Sequence, residues 1–439
     1  MSSKNIKVII VGGGPVGLTA AHALSRAGID FVLLESRPSV VIDAGSNLVL
    51  NPIGLRILGE MGLLETLNNV SSPLGKVQRF DHDGHDLGDI NFFVRWKENH
   101  GLAPRVISRH DLTSVLYTTL PTAAQSSLHA NKKVSSVNTT PDSITAYCTD
   151  GTSYTGTLLI GADGAHSRIR SFMNAAEPTA TDNDANPFLT TYRALWIRFP
   201  TAADLLPAGV ATETHGPDCA IQTFSGAETS VIGLYERLPA PTRDRLRFTA
   251  ADEAAIVGRW GYLPISRELT VADAYATRVQ AGLVSLEEGV VADWSGDRTV
   301  LVGDAAHKFT PSTGAGCNNG IVDVVVLVNE LRRAMDGGAE MDVQDIRAAC
   351  RAYQAERYES VVRGCEFSGR VTGTATWGTG MARLVDKHVM SIQRLQRFMM
   401  DRTAAAIART PVLEFAEREK MAGGRLPWAE QGMSRAVKA

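Results

Sequence analysis

The hydrophobic positions of this chain follow two different periods. Near the N-terminus Ile6 to Val11 is an unbroken apolar, β-branched run, the pattern of a strand buried on both faces, and Phe31 to Leu34 repeats it. Between them a helical pattern closes at Ala27-Gly28. Gly54 to Met61 reads as a helix, residues 77 to 90 as a short hairpin turning at Asp83-Gly84, and Ser108 as the N-cap of a helix with apolar positions at Leu112, Val115, Leu116 and Leu120. Short alternating strands run from Ser127 to Ile160, with turn signals at Pro141-Asp142 and Asp150-Gly151. Residues 175 to 187 are polar and proline-containing, the composition of a linker. The period then changes. Leu189 to Phe199, Cys219 to Phe224 and Thr229 to Leu234 alternate as strands of an inserted sheet, followed by a helix over Leu246 to Trp260. A strand ending at Gly303-Asp304 leads through small residues into a long helix after Gly320. Asp342 to Cys365 and Arg383 to Met400 read as long amphipathic helices, the second striped by Val385, Val389, Ile392, Leu395 and Met399.

Candidate chemistry collects where strands end. Gly12, Gly14 and Gly17 form G-x-G-x-x-G between a strand and a helix, a turn that admits a pyrophosphate to the helix N-terminus. Glu35 closes the next strand, where an acid accepts from ribose hydroxyls. The small-residue loop from Asp43 to Leu50 permits close backbone approach. Arg109 sits in a first helical turn, where a cation opposes the dipole unless an anion or carbonyl partners it. A second turn reads Asp163-Gly164-x-x-Ser167-x-x-Arg170, and a third carries Asp304, suited to accept from a ribityl hydroxyl. Residues 314 to 318 are small enough for main-chain N–H groups to reach a planar ring. Arg193, within an apolar strand, needs a partner or a wet cavity.

Composition narrows the picture. At 439 residues and 44% hydrophobic, the chain can build two or three packed units. A net charge of −3 argues against a nucleic-acid partner. The five cysteines show no metal or disulfide spacing, so no metal is expected and a reducing, cytoplasmic setting fits. The N-terminus enters strand and glycine turn at once, without a signal-peptide pattern. The most apolar helix, Ile321 to Val328, is interrupted by Asp323, so no membrane span is expected. Residues 383 to 439 carry eleven Lys and Arg against six Asp and Glu, either a solvated face or a surface for peripheral membrane contact.

Taken together, Gly12, Gly14, Gly17, Glu35, Arg109, the Asp163 turn and Gly303-Asp304 resemble the class A FAD-dependent monooxygenases, the p-hydroxybenzoate-hydroxylase-like family, over roughly residues 6 to 335. The stretch from Gly303 to Asp323 is similar to the fungal branch that acts in meroterpenoid, indole-diterpene and prenylated-indole-alkaloid biosynthesis. The resemblance implies an α/β fold in which a Rossmann-like FAD-binding domain (1–75, 100–175, 295–340) carries an inserted β-sheet substrate domain (76–99, 176–294), followed by a C-terminal helical region (341–439). It implies FAD and NAD(P)H as cofactors and the transfer of one atom of O₂ to a lipophilic substrate, by epoxidation of a prenyl alkene or oxidation of a prenylated indole. A phenol hydroxylase and a dehydrogenase without oxygen insertion remain alternatives. It also implies roles. Glu35 holds the adenosine ribose; Gly45, Ser46, Val49 and Arg109 line the FAD; Asp163 contacts FAD or NAD(P)H; Asp304 takes the ribityl chain; Gly316 and Cys317 face the ring; and Arg193 is the catalytic candidate over the flavin. Tyr192, Tyr235 and His215 are candidates for a base, none distinguished by spacing. The chain departs from the branch at Leu48-Val49, where a glycine is usual, and in lacking C-terminal hydrophobic spans.

Overall fold

The computed structural model describes residues 6–43, 45–176, 186–336, 342–416, 419 and 421–429. Most of the linker expected at 175–187 lies outside them. The β-branched runs form the centre of a five-stranded parallel sheet in the order Thr299–Leu301, Leu158–Gly161, Lys7–Val11, Asp30–Leu34, Leu128–His129. Helix Pro15–Ala27 covers it, begun by proline at its first turn and stopped by Gly28 in the left-handed conformation. Strands buried on both faces explain why this part reads as continuous apolar runs.

A seven-stranded mixed sheet forms the second layer, in the order His307–Lys308, Gln280–Val290, Leu189–Pro200, Thr229–Thr242, Cys219–Ser225, Ala211–Gly216, Val77–Asp81. Its members pair antiparallel except the last two. One face carries Leu195, Ile197, Ile221, Ile232 and Leu234 against Ile256 and Val271 of the covering helices and Leu263 between them. The Thr229 strand runs to Thr242, longer than its apolar core indicates. Beyond Leu234 its neighbours and the chain after it, rather than its own hydrophobicity, keep it extended. Helix Ala250–Trp260 starts four residues later than periodicity suggests, at a Thr249–Asp252 capping box.

Helix Val343–Ala375, 33 residues long, runs along both layers. Tyr353 donates to Leu301 O at 3.1 Å in the parallel sheet, while Ser368 and Thr372 bond Thr310 near the mixed sheet. The expected helix from Arg383 to Met400 is two helices, Gly380–His388 and Gln393–Ala408. The break has a polar cause: Gln396 is buried and donates to Met390 O at 2.7 Å and Asp89 O at 3.0 Å, tying down the intervening backbone. The apolar stripe is accordingly not a core seam, and Ile392 is exposed.

The deepest polar knot lies under the third strand-end turn. Asp323, fully buried, accepts from Gly303 N (3.0 Å), His307 Nε2 (2.5 Å) and Arg357 Nε (2.8 Å). Burial alone raises a carboxyl pKa; His307 and Arg357 reverse it and hold Asp323 down to about 2. Because the folded value is depressed, this contribution to stability is present above the unfolded carboxylate pKa and is lost as pH falls through about 2. Asp323→Ala leaves an arginine and a histidine buried without their acceptor and is expected to cost about 3–5 kcal/mol in denaturant unfolding. Unchanged stability would refute the role given to this carboxylate.

Candidate functional site

The glycine turn is built by close approach. Gly12 has φ +110°, and a Cβ there would stand 2.4 Å from Ala162 O; at Gly17 a Cβ would stand 1.9 Å from Gly12 O. No other residue type fits either place. Gly14 is the N-cap of helix Pro15–Ala27 and has no side-chain cap, so the first-turn N–H groups stay open for a ligand. Glu35 accepts from Gly13 N at 2.7 Å and from Arg37 N and Nε at 2.8 and 2.9 Å. Burial would raise its pKa, but the Arg37 and Gly13 hydrogen bonds hold it below the usual carboxylate range.

Gly12, Gly14, Glu35, Arg109 and Asp163 line one cleft of about 310 Å³, with Arg37, Lys132, Lys133, His166 and Arg168 around it. Arg109 joins this cleft to the loop at Gly45 and Ser46. Its guanidinium lies against Gly14 and its methylenes against Gly45, while its backbone N–H donates to Ser46 O at 3.3 Å. Among the described residues that guanidinium has no ion pair or side-chain hydrogen bond. An exposed cation beside open helix N–H groups suits a diphosphate.

From Arg109 the site continues to the third turn. Asp304 pairs with Lys308, and both Asp304 and Cys317 feel the charge of Arg109. Gly316 leaves room beside Asp304, where an added Cβ would lie 3.7 Å from Oδ1. Val49 packs on Gly314. Asn318 joins these loops, donating to Val49 O and Gly314 O at 2.8 Å each and accepting from Asn51 N at 3.1 Å. Burial pushes the Cys317 thiol up to about 12, which favours the protonated thiol at neutral pH.

Asp163, which lines the cleft, and Arg193 both have protein partners of their own. Asp163 caps helix Arg168–Ala176, accepting from Ser167 Oγ (2.5 Å), Arg168 N (2.8 Å) and Ile169 N (3.2 Å), and burial raises its pKa. Its partner in the motif, Arg170, donates to Ala165 O and Ala305 O at 2.8 Å each, clamping the second turn to the third. Arg193 is a correction. It stands in register with Glu236 and Cys219, on the helix-covered face with Leu195 and Leu234, and bonds Glu236 at 2.5 Å. Glu236 also receives Arg259 and Trp260 from helix Ala250–Trp260. The partner a strand arginine needs is thus an ion pair behind the sheet, and strand alternation turns Arg193 away from the cleft loops.

The opposite face looks toward those loops. Gln222 donates to Ser312 O at 3.1 Å, just before Gly314 to Cys317, and Arg198 pairs with Asp43. Here stands a charged row that no motif announces. Arg79 bonds Asp386 at 2.6 Å, Asp386 bonds His215 Nδ1 at 3.0 Å, and His215 Nε2 meets Glu213 at 3.1 Å. Gln222 donates to Glu213 at 2.8 Å and accepts from Tyr235 at 3.0 Å. Burial opposes the charge on His215, yet Asp386 and Glu213 prevail and push its pKa up to about 9. Of the three base candidates, His215 is therefore a cation at neutral pH, Tyr235 is held protonated by burial, and Tyr192 hydrogen-bonds Thr376.

Comparison with known proteins decides the family. The FAD binding domain family matches residues 5–229 and 261–362. An FAD-dependent monooxygenase of Penicillium brasilianum, ausM, is 31% identical over 371 residues, 81% of this chain and 76% of its own. The chain belongs to the FAD-dependent monooxygenases. Its relative ausM of Aspergillus calidoustus is 29% identical over 95% of this chain and 90% of its own. In fold the enzyme is similar to Klebsiella pneumoniae HpxO complexed with FAD and uric acid (TM-score 0.74, 22% identity, 92% and 98% of the two chains). It is likewise similar to salicylate hydroxylase (TM-score 0.71, 19% identity, 94% and 100%). FAD binding suits the cleft above: open N–H groups and Arg109 for the diphosphate, Glu35 for an adenosine ribose. Arg109→Ala removes a cation that touches both the Gly14 turn and the Gly45 loop. It is expected to weaken FAD binding by about 10- to 100-fold in titration of the apoprotein, the worth of a charge-assisted hydrogen bond; undiminished affinity would refute that placement.

Proposed function

We propose that this enzyme consumes NAD(P)H and delivers one oxygen atom of O₂ to an electron-rich carbon of a lipophilic secondary metabolite, a prenylated or indole-type compound. The supporting observation is one contact: the polar face of the seven-stranded sheet touches the Pro311–Cys317 segment through Gln222 and Ser312, and we take that segment as the ring end of the cofactor site. We assign the cofactor to 1–75, 100–175 and 295–340 and the substrate to 76–99 and 176–294, with 341–439 as a helical buttress. Bound FAD would supply the redox chemistry, hydride uptake and O₂ activation. The protein's own part is positioning. Asp304, Gly316 and the opening N–H groups of helix Ala315–Asp336 would hold the ring end and favour negative charge there, while the packed sheet excludes water. Names such as FAD-dependent monooxygenase penE and atmM, carried by relatives from Penicillium thymicola and Aspergillus flavus, support oxygen transfer over simple dehydrogenation.

In anaerobic mixing with NADPH the flavin band should bleach. On admitting isotope-labelled O₂, a prenylated indole or prenylated arene should gain one labelled oxygen atom. Bleaching without oxygen gain in any compound would indicate a dehydrogenase and defeat the monooxygenation reading for these substrates.

Among the described residues no helix is long and apolar enough to cross a membrane. Yet Met381, Leu384, Ile392 and Phe398 are exposed on the same C-terminal stretch as the exposed Arg383, Arg394, Arg397 and Arg402, with Arg402 over the Phe398 ring. We assign this surface to peripheral contact with anionic lipid, where lipophilic substrates partition. The holoenzyme should float with phosphatidylserine-containing vesicles at low salt, and Leu384→Asp with Met381→Asp should abolish flotation. Flotation of neither wild type nor variant, or of both alike, would refute the assignment.

A further inference from the structure

The row Arg79, Asp386, His215, Glu213 is a chain of alternating charge with one open end. Side-chain exposure rises along it: 0% for Arg79, 1% for Asp386, 7% for His215 and 18% for Glu213. A row serving packing alone has no reason to finish on an accessible carboxylate, because taking charge out of water is costly unless each member is paired. Here the inner members are fully paired. Arg79 donates to Asp386 and to the carbonyls of Leu87 and Gly88, and Asp386 also accepts from Trp377 Nε1 at 2.8 Å. Glu213 is different. Each of its oxygens accepts one hydrogen bond, Oε2 from His215 and Oε1 from Gln222, which leaves acceptor capacity on both.

The direction of that open end matters. Glu213 stands opposite Gln222 in the pairing of Ala211–Gly216 with Cys219–Ser225, and Gln222 reaches Ser312 O, so the carboxylate lies one side chain away from the segment ending at Gly316 and Cys317. Around it, His215 comes from its own strand, Gln222 and Tyr235 from the next two, and Arg79 from the neighbour on the other side. Burial raises the Glu213 pKa, but the His215 contact outweighs it and keeps the carboxyl ionised. A fixed, ionised acceptor with spare lone pairs on this face suits a ligand that brings a donor.

We propose that Glu213 is the substrate anchor, accepting a hydrogen bond from an N–H or O–H conjugated to the reacting carbon, so that the enzyme takes indoles, phenols or enols in preference to plain isoprenoid alkenes. This rests on the reading that oxygen is delivered at the Pro311–Cys317 face. The carboxylate would fix which edge of the ring meets the oxidant. Its charge also opposes the positive charge that grows on that nitrogen or oxygen as an electrophilic oxygen attacks. His215 and Asp386 act behind it as positioning residues, holding the carboxylate ionised and in one rotamer.

The test uses the FAD-loaded enzyme and four probes: indole, N-methylindole, 2-naphthol and 2-methoxynaphthalene, each titrated while the visible band of the bound flavin is followed. In the wild type each parent should bind at least about tenfold tighter than its methylated partner, the worth of one charge-assisted hydrogen bond. Glu213→Gln should close that gap with flavin content unchanged, and Glu213→Asp should retain part of it. Equal affinity for parent and methylated probes in wild type, a gap that survives in Glu213→Gln, or no spectral change with any probe would overturn the proposal. The methylated pairs read the donor without any substitution, so a misfolded variant cannot decide the result. Failure of NADPH to bleach the flavin would count against the catalytic reading alone, since probe binding is read on oxidised enzyme.

Discussion

The buried carboxylate of Asp323 is the point on which this architecture depends. Three separate segments converge on its two oxygens: the Gly303 turn, the His307 strand and helix Val343–Ala375. The turn carries Asp304, the helix bearing Asp323 begins beside Gly316, and Arg170 fastens the same turn to the Asp163 loop through Ala305 O. A charge this deep is tolerable only because a histidine and an arginine meet it in good geometry. Half of what looks like a ligand motif is therefore a clamp that keeps ligand-facing loops in place.

How much of this could be read beforehand depends on the range of the interactions. The strand, glycine turn and helix at 6–27 were legible because Gly17 answers a contact five residues away and Gly12 one at the end of an adjacent strand, and the β-branched runs specify a sheet covered on both sides. Arg109 stands out in the sequence for a similar reason, as a cation in a first helical turn is locally unfavourable; in the structure it lines the cleft without an ion pair among the described residues. Arg193 could not be placed so simply. Which face it points to follows from the bulge near Thr190 and Tyr192 and from register with two other strands. A shift of one residue exchanges the faces.

The Glu213 row was invisible for the same reason in stronger form. Its members come from positions 79, 213, 215 and 386, and no spacing within any one segment marks them. His215 entered only as one of three undistinguished bases; the structure makes it a cation between two carboxylates. The single helix expected from Arg383 to Met400 failed because a hydrophobic stripe was counted, whereas the decisive residues, Asp386 and Gln396, are polar and bond to the mixed-sheet side through Arg79, His215 and Asp89.

Helix Val343–Ala375 carries one more consequence. At about 1.5 Å per residue it extends roughly 50 Å. It is stapled at Tyr353 and Arg357 to the parallel layer, and at Ser368 and Thr372 to the loop that meets the mixed one. A continuous rod fixed at both ends behaves as a splint. Hinge opening between the layers would have to bend it or tear out one set of staples, so exchange of large ligands is channelled to the flanks, through loop movement, instead of to a parting of the two halves.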